Sequence, residues 1–170
     1  MTQDIDIRTI REARPSDMAD IMKVIVAAKG IMRSSGNLLQ WQGNYPSEEV
    51  LLTDMKRHGG FVILDRGRIV GYFAFLPSPD PTYSTIYQGE WLDDTLPYHV
   101  IHRIASLPEA HHIFASILDF CFALDPNLRI DTHRDNSIMQ HVLSKHGFSY
   151  CGIIYLANGD ERLAYQKLNK

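Results

Sequence analysis

Between residues 98 and 148 the spacing of apolar side chains alternates between two periods. "YHVIHRIAS" is strand-like, "HIFASILDFCFAL" helical, "NLRIDTH" strand-like again, and "NSIMQHVLSKHG" is a helix that Gly147 closes. A strand, a helix and a second strand can rejoin one sheet only by a crossover. Such crossovers are right-handed, so the strands at 98–106 and 127–133 should lie parallel. The rest of the chain must be arranged around that pair.

Upstream, "IDIRTIREA" (5–13) alternates as a half-buried strand, and "RPSD" supplies a turn with Ser16 as a plausible N-cap. Met18, Ile21, Met22, Ile25 and Val26 then recur at helical spacing, and Gly30 suggests the helix end. The turn-rich linker "RSSGNLLQWQGNYPS" leads to Ser47, which opens a second helix to about His58. "FVILDRGRIVGYFAFL" is a hairpin around "DRGR", and "PSPDPTYSTIYQGEWLDDTLP", with four prolines, reads as a long, partly extended loop. "FSYCGIIYLA" and "ERLAYQKL" form a closing hairpin around "NGD". The expected fold class is therefore α/β: one domain over residues 7–168 with a mixed sheet, in the order β-α-α-β-β-β-α-β-α-β-β. A parallel strand pair sits at the centre, flanked by antiparallel hairpins.

A chain of 170 residues that is 45% hydrophobic can bury one substantial core. Its net charge of −3 and the absence of a Lys/Arg run give no attraction to nucleic acid or to an anionic membrane, so a neutral or cationic small substrate fits better. Cys121 and Cys151 lie among apolar or aromatic neighbours; two thiols make neither a disulfide framework nor a four-thiolate metal site. The polar N-terminus carries no apolar leader core, and no stretch approaches the roughly 18 apolar residues of a membrane span, so a soluble, cytoplasmic protein is expected.

The most informative segment is "DTHRDNSIMQHVLSKHGFSYCG", residues 131–152. Asp135 or Asn136 can cap its helix, Gly147 supplies a left-handed C-cap, and Phe148 begins the next apolar run. With the element order, this Asn-to-Gly-Phe segment resembles the GNAT superfamily of N-acetyltransferases, and the resemblance runs from about Ile7 to Lys167. It implies acetyl-coenzyme A (acetyl-CoA) as acyl donor, no metal, and an amine acceptor that is a small molecule or a peptide. A homodimer is an expectation of the same kind. Asn136 becomes a candidate cofactor contact as well as a cap, and the pantetheine arm would pair with backbone at Ile104, Ala105 and Ser106.

Two positions depart from the family pattern. Relatives commonly carry a tyrosine five residues before the Phe of the Gly-Phe pair, as proton donor to the thiolate; this chain has Leu143. The pyrophosphate loop usually reads R/Q-x-x-G-x-G/A, where helix-end amides meet the anion. One register here gives His111, Phe114 and Ser116, the next His112, Ala115 and Ile117, so the loop contains no glycine. The backbone amides from Ile113 to Ser116 survive the substitutions, and His111 and His112 can add cationic donors. A zinc site built from His99, His102, His111 and His112 is not expected, because residues 99 and 102 face opposite sides of a regular strand.

On the acceptor side, an alkylammonium must lose a proton before it attacks, so a base should lie near the strand at 98–106. His102 is the first candidate and Glu90, beside Trp91, the second. Trp41 and Tyr45 in the early linker, with Tyr83 and Trp91 in the long loop, are candidates for the substrate wall, packing onto the core being the other reading of each. The expected activity is acetyl transfer to a primary amine by direct attack. The alternatives are a non-catalytic acyl-CoA binding or sensing domain with the same fold, and a structural domain that binds no nucleotide.

Overall fold

The strands of the computed structural model, which describes residues 8–169, are β1 (Arg8–Glu12), β2 (Gly60–Asp65), β3 (Arg68–Pro77), β4 (His99–Ser106), β5 (Asn127–Thr132), β6 (Ser149–Tyr155) and β7 (Glu161–Leu168). The helices are α1 (Met18–Ser34), α2 (Glu48–Lys56), α3 (Ile113–Phe122) and α4 (Ser137–Lys145). All seven strands form one sheet in the order β1-β2-β3-β4-β5-β7-β6. Every neighbouring pair is antiparallel except β4 and β5, which are parallel. The expected order and the parallel pair are both present.

β3 is buried at every position between its ends, as a central strand covered on both faces must be. On one face, α3 and α4 pack over Phe73, Phe75, Ile101 and Leu128. On the other, α1 and α2 cover Val62, Tyr72 and Ala105. The long β3–β4 loop closes the remaining ground by burying Tyr83 and Trp91 against Val100, Ile154 and Ala164. The loop is tied to the edge strand by paired hydrogen bonds between Tyr87 and Ile153, each 2.8 Å.

Local boundaries differ from expectation at Gly30 and Ser16. Gly30 lies inside α1, which runs four residues further to Ser34; the residue in the left-handed conformation that ends it is Gly36. Ser16 does not cap α1: it sits within a short 3-10 turn (Pro15–Asp17), and the Asp17 carboxylate accepts from the Arg14 amide at 2.8 Å and from the Arg11 guanidinium. Ser47 does cap α2, accepting from the Val50 amide at 3.3 Å, but the helix ends at Lys56, short of His58. In the strand expected at 5–13, residues 5–7 lie outside the described residues, as does the domain's first residue; β1 begins at Arg8. No helix among the described residues is long and apolar enough to cross a membrane.

Two irregularities shape the centre of the sheet. β4 and β5 pair only at His99 with Leu128 and Val100 with Arg129, and beyond that point they part. Across β4's other edge, the register to β3 passes from Tyr72–Ala105 to Ala74–His102, two steps on β3 against three on β4. The extra residue is a β-bulge, and Arg103 sits there with φ of +53°, a conformation uncommon for a side chain of its size.

Candidate active site

The parting of β4 from β5 opens a cleft of about 560 Å³, roofed by the α1–α2 linker and bounded by the start of α4 and the β6–β7 turn. Its centre is His102 on β4. The ring's Nε2 lies 3.2 Å from Asp80 Oδ2, and its Nδ1 lies 3.8 Å from Asp131 Oδ2 on β5. Asp80 occupies the cap of a short 3-10 turn (Pro81–Tyr83), where its Oδ1 accepts from the Thr82 amide at 2.9 Å and the Thr82 hydroxyl at 2.7 Å. Burial alone would raise the Asp80 carboxyl, but the bonds from His102 and Thr82 outweigh it and hold the group down at about 2. An ionised Asp80 can only accept, so Nε2 carries the hydrogen and a neutral His102 keeps its lone pair on Nδ1.

Asp131 is held in turn. The Tyr83 hydroxyl donates to its Oδ2 at 2.6 Å, and Arg162 Nε on β7 lies 4.0 Å from its Oδ1. Burial, then the Asp131 charge, push the Tyr83 phenol well above its ordinary value, so it stays a donor.

The second cluster sits on the bulge. Arg103 donates through Nε and Nη2 to both oxygens of Asp54, at 2.9 and 2.5 Å, and through Nη1 to the Tyr45 hydroxyl oxygen at 3.1 Å. Tyr72 donates to Asp54 at 2.7 Å, so the carboxylate, 2% exposed, is bonded on both oxygens. A guanidinium has no lone pair to offer, so Tyr45 accepts from it and leaves its own O–H free. Tyr45 lines the cleft and is 38% exposed.

The sequence-based candidates separate clearly. His102, Ile104, Asn136, Trp41 and Tyr45 all line the cleft. Asn136 caps α4, accepting from the Met139 amide at 3.0 Å, and its amide donates to Gln40 Oε1 at 2.9 Å, fastening the linker to the helix. Glu90 is exposed on the loop and does not line the cleft. Tyr83 and Trp91 are no wall either: their rings stack 5.4 Å apart within the third core cluster, beneath the surface. Trp91 also covers the buried Arg129 guanidinium, whose carbon lies 3.9 Å from the ring centre. Burying Trp91 leaves its neighbour Glu90 in water.

The helix-start candidates form a separate patch beyond Ser106. His112, with φ of +60°, precedes α3, and both it and His111 are exposed. Phe114 turns its ring into the core, 5.3 Å from His146 and 6.2 Å from Phe148, so it does not obstruct the helix end. The first three amides of α3 lack helical acceptors by geometry, and Ser116 is the first to find one, the His112 carbonyl at 3.3 Å. Arg8 reaches this loop from β1 and donates to the His111 carbonyl at 2.7 Å. Free amides, small Ala115 and Ser116 side chains and three basic residues are chemistry that suits a diphosphate.

Leu143 is fully buried in the main core and does not reach the cleft. Asp80, Asp131, Arg103, Asp54, Arg162 and Gln40 were not foreseen; the signal for Asp80 was present, an aspartate between two prolines able to cap a turn. Among the described residues, no group of three or more His, Cys, Asp or Glu is arranged to hold a metal ion, and both cysteines are free and buried.

The site is thus an opening where the parallel strands of a mixed α/β sheet part beside a helix start, with acid–base groups inside it. The comparisons are specific. An acetyltransferase of the GNAT family from Streptococcus agalactiae 2603 superposes with a TM-score of 0.86 at 32% identity, over 96% of each chain. The chain belongs to the GNAT family of acetyltransferases. A GNAT-family acetyltransferase from Listeria monocytogenes 4b F2365 (TM-score 0.69, 17% identity, 95% of this chain and 94% of that one) shares the fold. So does an N-acetyltransferase from Staphylococcus aureus Mu50 (0.57, 16%, 96% and 99%). No family model and no curated protein sequence matches.

Proposed function

We propose that the protein transfers an acetyl group from acetyl-CoA to a primary amine by direct attack, in a soluble, cytoplasmic setting. One observation carries this reading: a histidine held by Asp80 through Nε2 stands between two carboxylates where the parallel strands part. Acetyl-CoA, when bound, supplies the thioester. The residues that would hold it are the α3 helix start from Ile113 to Ser116, with Arg8, His111 and His112, and the β4 backbone at Ile104, Ala105 and Ser106. Asn136 contributes indirectly, by fixing the linker over the cleft.

His102 Nδ1 takes the proton that the bound ammonium must lose before the neutral amine attacks, and Asp80 holds the ring in the tautomer that can accept it. Backbone N–H groups on the unpaired edge of β4 are placed to receive charge developing on the thioester oxygen. Tyr45, with its free O–H and a guanidinium behind its oxygen, is the donor we assign to the departing thiolate, and the second proton that the nitrogen releases as the amide forms replaces the one Tyr45 gives up.

Titration with acetyl-CoA and thiol release against a panel of amines test the proposal. Saturable binding and amine-dependent release are expected. His102→Gln should lower kcat roughly 100-fold or more and change the pH profile; an unchanged profile removes His102 from the mechanism. Buried Leu143 and the loop without glycine favour one second reading, a domain that binds acyl-CoA without turnover. Binding with no thiol release would decide for it, and no binding at millimolar acetyl-CoA would defeat both.

A further inference from the structure

We infer that the acceptor is an organic cation with no carboxylate beside its amine: a decarboxylated amine or diamine, not an amino acid. The inference rests on the acetyl-transfer reading of the cleft and adds a substrate class to it. Among the described residues, five ionisable side chains other than His102 and Tyr45 line the cleft: Asp80, Asp131, Asp160, Arg103 and Arg162. Both cations are committed. Arg103 is spent on Asp54 and Tyr45, and Arg162, only 6% exposed, donates to the Glu161 carbonyl at 2.9 Å and the Gln40 carbonyl at 3.3 Å.

The carboxylates are less fully used. Asp131 Oδ1 has only the 4.0 Å approach of Arg162, and Asp160 Oδ2 accepts from the Asn158 amide at 3.1 Å. An ammonium between His102 Nδ1 and Asp131 would find a lone pair for the proton it must lose and a carboxylate for a second hydrogen. Tyr45 and the edge of the largely buried Trp41 also line the cleft, aromatic surfaces that suit a cation and its apolar body.

An α-carboxylate would enter the same space with no uncommitted Arg or Lys among the described residues to receive it. Like charges brought together in this way disfavour binding strongly enough for a preference of about 100-fold.

The test is a set of matched pairs with wild-type protein saturated in acetyl-CoA: tyramine against tyrosine, cadaverine against lysine, and tyrosinamide as the neutralised control. Thiol release should give kcat/KM about 100-fold higher for each amine than for its amino acid, with tyrosinamide close to tyramine. Asp160→Arg, which offers a carboxylate a partner, should narrow the gap at least about tenfold. Amino acids that match or exceed their amines overturn the inference. If acetyl-CoA binds and no pair releases thiol, the transfer reading has failed and the charge argument is judged alone, by calorimetry on the acetyl-CoA-loaded protein. Tighter binding of the amines upholds it; equal binding, or none, overturns it.

Discussion

At neutral pH the Asp80 carboxylate has no proton to give, so the bond to His102 fixes both a tautomer and a stability dependence on pH. The folded group titrates at about 2 against an ordinary value of 3.8. A depressed carboxylate stabilises the fold above its unfolded pKa and ceases to do so as pH falls through the folded one. Its side chain is 21% exposed, so most of the shift acts on stability, about 2 kcal/mol. Urea denaturation of wild type and Asp80→Asn should therefore differ by about 2 kcal/mol at pH 7 and converge between pH 5 and pH 2; a constant difference would show that Asp80 acts by packing alone. At this scale the sequence told half the story. His102 was legible because a base was expected near the strand at 98–106 and an imidazole's ordinary pKa suits proton transfer at neutral pH. Asp80 and Asp131 were not, since only the loop's return and the parting of two parallel strands bring them to one imidazole.

The element that most constrains the site is the bulged strand β4. Its pattern announced a strand, and the helix after it announced a parallel partner; no local signal marked the bulge, because Arg103 adopts a left-handed conformation that sequence would assign to glycine or asparagine. What holds it there is Asp54, from a helix far away in the chain. The pair is nearly enclosed, with side-chain exposures of 14% and 3%. Asp54→Ala would leave a buried guanidinium without its counter-charge and Tyr72 without its acceptor, a loss of about 3–5 kcal/mol by urea denaturation. The double variant Asp54→Ala/Arg103→Met should recover more than half of that, because the cost lies in the unpaired charge. Glycines misled for a related reason. Gly30 has open space around it and helical backbone, so α1 runs through it, whereas Gly36 takes the positive φ that ends the helix.

Across the whole molecule, the helices on one face of the sheet pack tightly enough to close position 143 to the cleft. Family resemblance marks it as the place for a tyrosine, and the architecture gives it to the core: Leu143 is fully buried among residues including Phe114, Leu128 and Phe148. Restoring the tyrosine should therefore not restore an acid. Leu143→Tyr has to fit a larger ring and a hydroxyl into a filled interior, a cost of about 1–3 kcal/mol with no gain in kcat. Tyr45→Phe makes the opposite prediction. It removes one hydroxyl from a partly exposed loop, so stability should change little beyond the lost bond from Arg103, about 1 kcal/mol. Its kcat should fall about 100-fold while acetyl-CoA affinity holds, because the O–H is needed only as the carbon–sulfur bond breaks. Steady-state thiol release, calorimetry and urea denaturation on the two variants measure all of these quantities. A faster Leu143→Tyr enzyme, or a Tyr45→Phe enzyme with unchanged kcat, would return the proton donor to α4 and leave Tyr45 as a wall of the cleft.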